Sequence, residues 1–118
     1  MADTTTAGTI AAMNDAHRRA FLFPRSAPGR TVMTRGFAAL ESDLQARLML
    51  ALVKFDAFTA DNDPHGEHDF GRIVVEGAPP VFFKFDYYED DTLQYGSEAP
   101  EDPARSYRVL TLMLAEEY

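Results

Sequence analysis

The run Val81-Phe82-Phe83-Lys84-Phe85-Asp86-Tyr87-Tyr88 constrains the fold more than any other part of the chain. In an extended strand, successive side chains point to opposite sides. Val81, Phe83, Phe85 and Tyr87 therefore form one face, and Phe82, Lys84, Asp86 and Tyr88 the other. A face of that size must be covered by another layer. Just ahead, Gly77-Ala78-Pro79-Pro80 is turn material and Arg72 to Glu76 is a short β-branched run. The two runs predict an antiparallel hairpin. Leu93-Gln94-Tyr95 predicts a short edge strand. Arg30 to Arg35, centred on Val32 and broken by Gly36, predicts another.

The covering layer is expected to be helical. Ile10, Met13, Asn14, His17 and Phe21 recur at helical spacing, which predicts a helix over about residues 8–22, with residues 1–8 frayed. Pro24 ends it, and Ser26-Ala27-Pro28-Gly29 form a turn. Ser42 and Gln45 read as a capping box. From there Leu44, Leu48, Ala51, Leu52 and Phe55 mark an apolar stripe running to Phe58. Asp102-Pro103-Ala104 is a helix-start signal, and Tyr107, Leu110, Met113, Leu114 and Tyr118 share one helical face. This predicts a third helix over 103–117. The expectation is a single α+β domain over 1–118: a small antiparallel sheet of three or four strands, with about three helices on one face, in the order α-β-α-β-β-(β)-α.

Composition narrows the classes of function. Hydrophobic residues make up 46% of the 118 and charged residues 25%, so the chain can build a core of its own. The absence of cysteine removes disulfides, thiolate metal sites and cysteine nucleophiles. No apolar stretch reaches membrane-spanning length, and no signal peptide is legible, so a cytoplasmic protein without a membrane partner is expected. The net charge of −8 is unevenly placed. Residues 1–55 sum to +3, residues 56–102 to −11 and residues 103–118 to zero. A region that negative repels phosphate backbones and attracts basic surfaces, so a protein partner is expected and direct nucleic-acid binding is not.

The acidic region opens on Asp61-Asn62-Asp63-Pro64-His65-Gly66-Glu67-His68-Asp69-Phe70-Gly71, with four carboxylates and two imidazoles. Several chemistries can be tested against it. A calcium loop would use Asp61, Asp63, His65, Gly66 and Asp69, but its twelfth position, which should be a bidentate Glu, is Arg72. His65-Gly66-Glu67 matches the first part of a zinc-deaminase signature that also requires a cysteine pair. A restriction-type nuclease core needs an acidic residue two positions before Lys84, where Phe82 stands. Asp63, His65, His68 and Asp69 remain as a candidate divalent-metal set for a hydrolase or nuclease. Against these stands a structural reading, in which Asp61 and Asp63 form Asx turns and caps, the glycines allow positive φ, and His68 pins the loop to the hairpin through a carboxylate. His17 reads as a histidine at the edge of the core.

Several stretches resemble a short bacterial family known as domain of unknown function 3768. They are Phe55-Asp56-x-Phe58-Thr59, the Asp61 to Gly71 run, Lys84-Phe85-Asp86-Tyr87-Tyr88 and Arg108 to Tyr118. Asn14-Asp15-x-x-Arg18 and Thr31 to Gly36 extend the resemblance toward the N-terminus. Proteins of this type look like plasmid- or phage-associated products, which implies an accessory or anti-defence role. The resemblance brings no catalytic residues with it.

The expected function is a non-enzymatic protein-binding module without a cofactor, of the anti-restriction or anti-CRISPR type. Its contact residues would be Asp61, Asp63, Glu67, Asp69, Glu89, Asp90 and Asp91. The alternatives are the metal-dependent enzyme and a homodimer with a purely structural loop.

Overall fold

A computed structural model describes residues 2–21 and 27–118. The fold is α+β, with three helices and a four-stranded mixed sheet. In chain order the elements are α1 (Ala2–Arg18), a 3₁₀ turn (Arg19–Phe21), β1 (Gly29–Met33), α2 (Arg35–Ala38) and α3 (Ser42–Lys54). There follow β2 (Phe70–Ile73), β3 (Val81–Tyr88), β4 (Tyr107–Leu114) and a 3₁₀ turn (Ala115–Glu117). The strand order is β1-β4-β3-β2. β2 and β4 run antiparallel to β3, whereas β1 runs parallel to β4. The sheet is therefore mixed rather than wholly antiparallel.

β3 forms as its alternation dictates. Val81, Phe83 and Phe85 are buried, and Tyr87 lies on the same face. The hairpin partner is Phe70–Ile73, which begins two residues before the expected run Arg72–Glu76 and ends three before it. Gly71 explains the shift. It lies opposite Phe83, and a Cβ there would stand 2.6 Å from Phe83 Cζ and 2.9 Å from Phe55 Cε1. Only glycine lets the Phe83 ring lie across that strand.

The expected C-terminal helix is a strand, and this is the main correction. Asp102-Pro103-Ala104 makes a turn instead of a helix start: Asp102 Oδ1 accepts from Ala104 N at 2.9 Å, and Asp102 O from Arg105 N at 3.0 Å. β4 pairs with both β3 and β1, so it is a central strand. Its neighbours Val109 and Leu110 are both buried, as are Leu112 and Met113. A strand apolar on both faces loses the alternation that identifies it. Leu93-Gln94-Tyr95 forms no strand either. Leu93 takes a positive φ of 59°, and a single bridge pairs Tyr88 with Gly96.

The helices differ in detail from their patterns. α1 starts at Ala2, through Gly8, because one helix-interior glycine costs only about 1 kcal/mol. Pro24 and Ser26 lie outside the described residues. Gly36 does not end a strand but sits inside α2, whose N-cap is Thr34. α3 is capped by Glu41 without a side-chain bond, and the capping box does not form. Gln45 instead donates to Ala38 O and Leu40 O, at 3.2 and 2.8 Å. α3 stops at Lys54, short of Phe58. Where the helix ends, the carbonyls of Leu52, which also receives Phe55 N at 3.3 Å, and of Phe55 each accept at 2.8 Å from the Arg18 guanidinium of α1.

One core holds these layers together. Phe37 of α2 and Leu48 and Leu52 of α3 pack on Ile73, Val81, Phe83, Phe85, Leu110 and Leu112 of the sheet. α1 meets the same sheet face through His17, whose ring stands edge-on to Phe85 at 5.5 Å. His17 is 3% exposed with Nε2 3.0 Å from Thr31 Oγ1, the core-edge place expected of it.

Candidate functional site

Phe55–Asp69 is a non-repetitive segment folded against α1 and the end of β3. Its first turn is fastened by Asn62, whose Oδ1 accepts from Thr59 N at 2.8 Å and whose Nδ2 donates to Ala57 O at 2.9 Å. Its second turns at Gly66, at φ 70°. Asp63 holds that turn closed, because its Oδ1 accepts from Glu67 N at 3.1 Å and from His68 N at 3.2 Å. Asp63 is 8% exposed, so this carboxylate faces inward.

His68 adopts φ 55°, a conformation that a non-glycine residue keeps only when its surroundings hold it there. Three contacts do so. The ring stacks flat on Phe58 at 3.9 Å. Nδ1 lies 2.9 and 3.1 Å from the two Asp15 oxygens. Nε2 is 3.8 Å from Asp63 Oδ2. Asp15 also accepts from Arg18 at 2.6 Å. Asp15, Arg18 and His68, with Phe55, Asp56 and Phe58, line a cleft of about 140 Å³. The loop is therefore pinned by a histidine–carboxylate contact, as the structural reading expects, but the carboxylate belongs to α1.

A second polar chain runs deeper. Asn14 is fully buried on α1. Its Nδ2 donates to Glu67 O at 3.0 Å and to the Tyr87 hydroxyl at 2.9 Å. Tyr87 in turn donates to Glu67 Oε1 at 3.1 Å. Arg108 of β4 is 0% exposed and donates to Asn14 Oδ1 and, at 2.6 Å, to Pro100 O. Its guanidinium sits 5.3 Å from the Tyr87 ring centre. Burial pushes both the Arg108 and the Arg18 guanidinium below the usual arginine range. Burial also raises the Glu67 carboxyl, against the opposing effect of the Tyr87 hydrogen bond. It lifts the Tyr87 phenol far above the ordinary tyrosine range.

Of the remaining acidic groups, Glu67 and Asp69 lie beside β3 and Glu89–Asp91 follow it. Phe85 N donates to Asp69 O at 2.9 Å, Glu67 touches Tyr87, and Glu89–Asp91 follow directly on Tyr88. Asp61, Glu89, Asp90 and Asp91 are exposed, while Glu67 and Asp69 are half-buried. Asp69 is pushed above the usual carboxylate range, first by burial, with Asp63 and Asp86 adding to the effect. Among the described residues, none of Asp61, Glu67, Asp69, Glu89, Asp90 and Asp91 forms an ion pair. The proposed metal set is not assembled either. Asp63 and His68 meet, but no three His, Asp or Glu side chains among the described residues are arranged to hold a metal ion.

Residues 33–117 match the model of a family described as protein of unknown function, DUF3768. The chain belongs to that family. No curated protein and no solved structure matches it. The family match takes in Asp63, Glu67, His68, Tyr87 and Arg108, whereas Asn14, Asp15 and Arg18 of α1 precede it. These α1 residues and Arg108 were legible as marks of the family resemblance but were not among the expected site residues. The legible signals were Asn14-Asp15-x-x-Arg18 at helical spacing and a lone arginine in the apolar run of β4.

Proposed function

We propose that the chain acts as a small non-enzymatic binding module whose partner presents a basic protein surface. The supporting observation is a set of carboxylates that form no ion pair among the described residues: Asp61, Glu67, Asp69, Glu89, Asp90 and Asp91. Neighbouring like charges raise the free energy of such a surface, and a basic partner relieves it while steering the encounter. The interior polar network keeps the surface in shape. Asp63 and His68 hold the loop closed and so contribute position rather than contact. Within this reading, the finer proposal is a mobile-element inhibitor of the anti-restriction or anti-CRISPR type. Its carboxylates would occupy a surface that otherwise takes nucleic-acid phosphates.

The test is capture from a bacterial lysate by the immobilised protein, compared with a variant reversed at Asp61→Lys, Glu89→Lys, Asp90→Lys and Asp91→Lys. Capture by the wild type that weakens with salt and disappears in the variant supports the reading. Equal capture by both, with the variant folded by circular dichroism, overturns it.

A further inference from the structure

We propose that the open edge of β1 pairs with β1 of a second copy of this chain, antiparallel and two-fold about Val32, joining the two four-stranded sheets into one. β1 is an edge strand, bonded to β4 on one side only. The ladder shows which of its backbone groups are left over. Pro28 O accepts from Arg108 N at 3.2 Å, and Thr34 N donates to Leu112 O at 3.0 Å. The bonding direction alternates along a strand, so Arg30 and Val32 also turn toward β4. The N–H and C=O groups of Thr31 and Met33 therefore turn outward, and no described residue bonds them. An uncovered edge of this kind is a template for a further strand.

Centring the pair on Val32 fixes every other match. Thr31 falls opposite Met33 of the other copy, Arg30 opposite Thr34, and Gly29 opposite Arg35. The two Thr31–Met33 pairs are then hydrogen-bonded pairs, and they use all the outward groups of both residues. Val32 meets its own counterpart in a narrow pair, where side chains approach most closely. Thr31 faces the helices, because its Oγ1 meets His17 of α1. Arg30 and Val32 therefore lie on the opposite, helix-free face of the sheet, where Val32 is exposed.

The side chains select a second copy as the occupant. Met33 lies on the helix side of β1, beside Leu112, yet is 44% exposed. In the pair it stands across from Thr31 of the other copy, which borders a cleft of about 380 Å³ lined by Met49, Leu52 and Leu110. An unbranched thioether side chain suits such a gap. On the other face, Arg30 forms no ion pair among the described residues. Its contacts are Asp91 O at 3.5 Å and the Tyr107 ring at 5.8 Å. Glu117 has no cation either, and its carboxylate is held by Thr34 Oγ1 and Gly36 N. Paired strands lie about 5 Å apart, so Arg30 of each copy comes beside Thr34, and hence Glu117, of the other. Arg35 falls opposite Gly29, which has no side chain to obstruct it. Apolar, cleft and charge matches thus arise together under one rotation, which is what a closed two-fold contact requires. β1 has only five residues, so the contact is small and the dimer concentration-dependent.

Light scattering or sedimentation over about 1 to 500 μM tests the proposal, the range in which small interfaces dissociate. The expected mass rises from one chain to two. Met33→Pro removes an outward N–H, which an edge strand tolerates, together with the side chain that meets the cleft. It should hold the mass at one chain, with circular dichroism unchanged. Val32→Lys and Val32→Glu each set like charges across the two-fold axis and should each raise the midpoint concentration about fivefold or more. Mixed in equal amounts, these two variants should associate at lower concentration than either alone, because opposite charges then meet. Residue 32 meets its own counterpart only in this register. A single-chain mass of the wild type at every concentration overturns the proposal. So does a dimer indifferent to Val32→Lys, or a mixture that associates no better than its components. None of these positions is reversed in the lysate capture, so the two results stand or fall separately.

Discussion

Replacing Asn14 by alanine should be among the most damaging single changes to this chain. Its amide receives the guanidinium of a fully buried Arg108 and donates to Glu67 O and the Tyr87 hydroxyl. Removing it leaves a charged donor without its partner, at about 2–3 kcal/mol. The Glu67 carbonyl adds about 1 kcal/mol. Tyr87 adds little, because its hydroxyl still reaches Glu67 Oε1 at 3.1 Å. The loss therefore comes to about 3–4 kcal/mol, against a total of about 5–15 kcal/mol for a typical domain. Urea unfolding followed by far-ultraviolet circular dichroism would register it as a midpoint lowered by about 2 M, at slopes of 1–3 kcal/mol per M. The same change in an Arg108→Met background removes both members of the pair, so Asn14→Ala should cost at least about 1.5 kcal/mol less there. A cost below about 1 kcal/mol, or an equal cost in both backgrounds, would refute the reasoning.

Two further changes probe the loop and the hairpin. The folded-state pKa of Glu67 is raised, so the stability this group contributes is fullest below its unfolded value of about 4.3 and declines as pH rises through the folded value. Glu67→Gln, which keeps an acceptor for Tyr87, should flatten that decline; the group is only half-buried, so solvent screening keeps the gain near neutral pH under about 1 kcal/mol. Melting curves of variant and wild type that run parallel from pH 4 to 7 would count against it. Gly71→Ala pushes a methyl group against Phe83 and Phe55 and should cost about 1–3 kcal/mol, or roughly 5–15 °C in melting temperature; an unchanged melting temperature would show that the two rings can move aside.

What the sequence made legible follows from where each residue's partners lie. β3 has one covered face and one open face, and its alternation survives in the sequence. β4 is central, and Val109 beside Leu110 fits a helix and a two-faced strand equally well. The Asp102-Pro103 signal then tipped the balance the wrong way, because a helix start and a tight turn use the same residues. The Asp61–Gly71 loop was recognisable as a glycine-turned, carboxylate-rich structural segment, since its Asx contacts are local. Its fastening to α1 was not. Asp15 and His68 are 53 positions apart, and no local pattern links them. The strong separation of charge along the chain was visible from composition alone, whereas the helix-free face appears only once the strands are placed in order.

The long reach of α1 has a consequence for how the molecule is made. Its side chains bind Leu52 O and Phe55 O, then the Glu67–His68 segment, and last Arg108, 94 residues downstream of Asn14. A ribosome adding about 5–20 residues per second needs roughly 5–20 s to travel that distance. The helix made first is therefore the one that completes its contacts last, and through that interval its Asn14–Arg18 turn emerges with none of its distant partners yet synthesised.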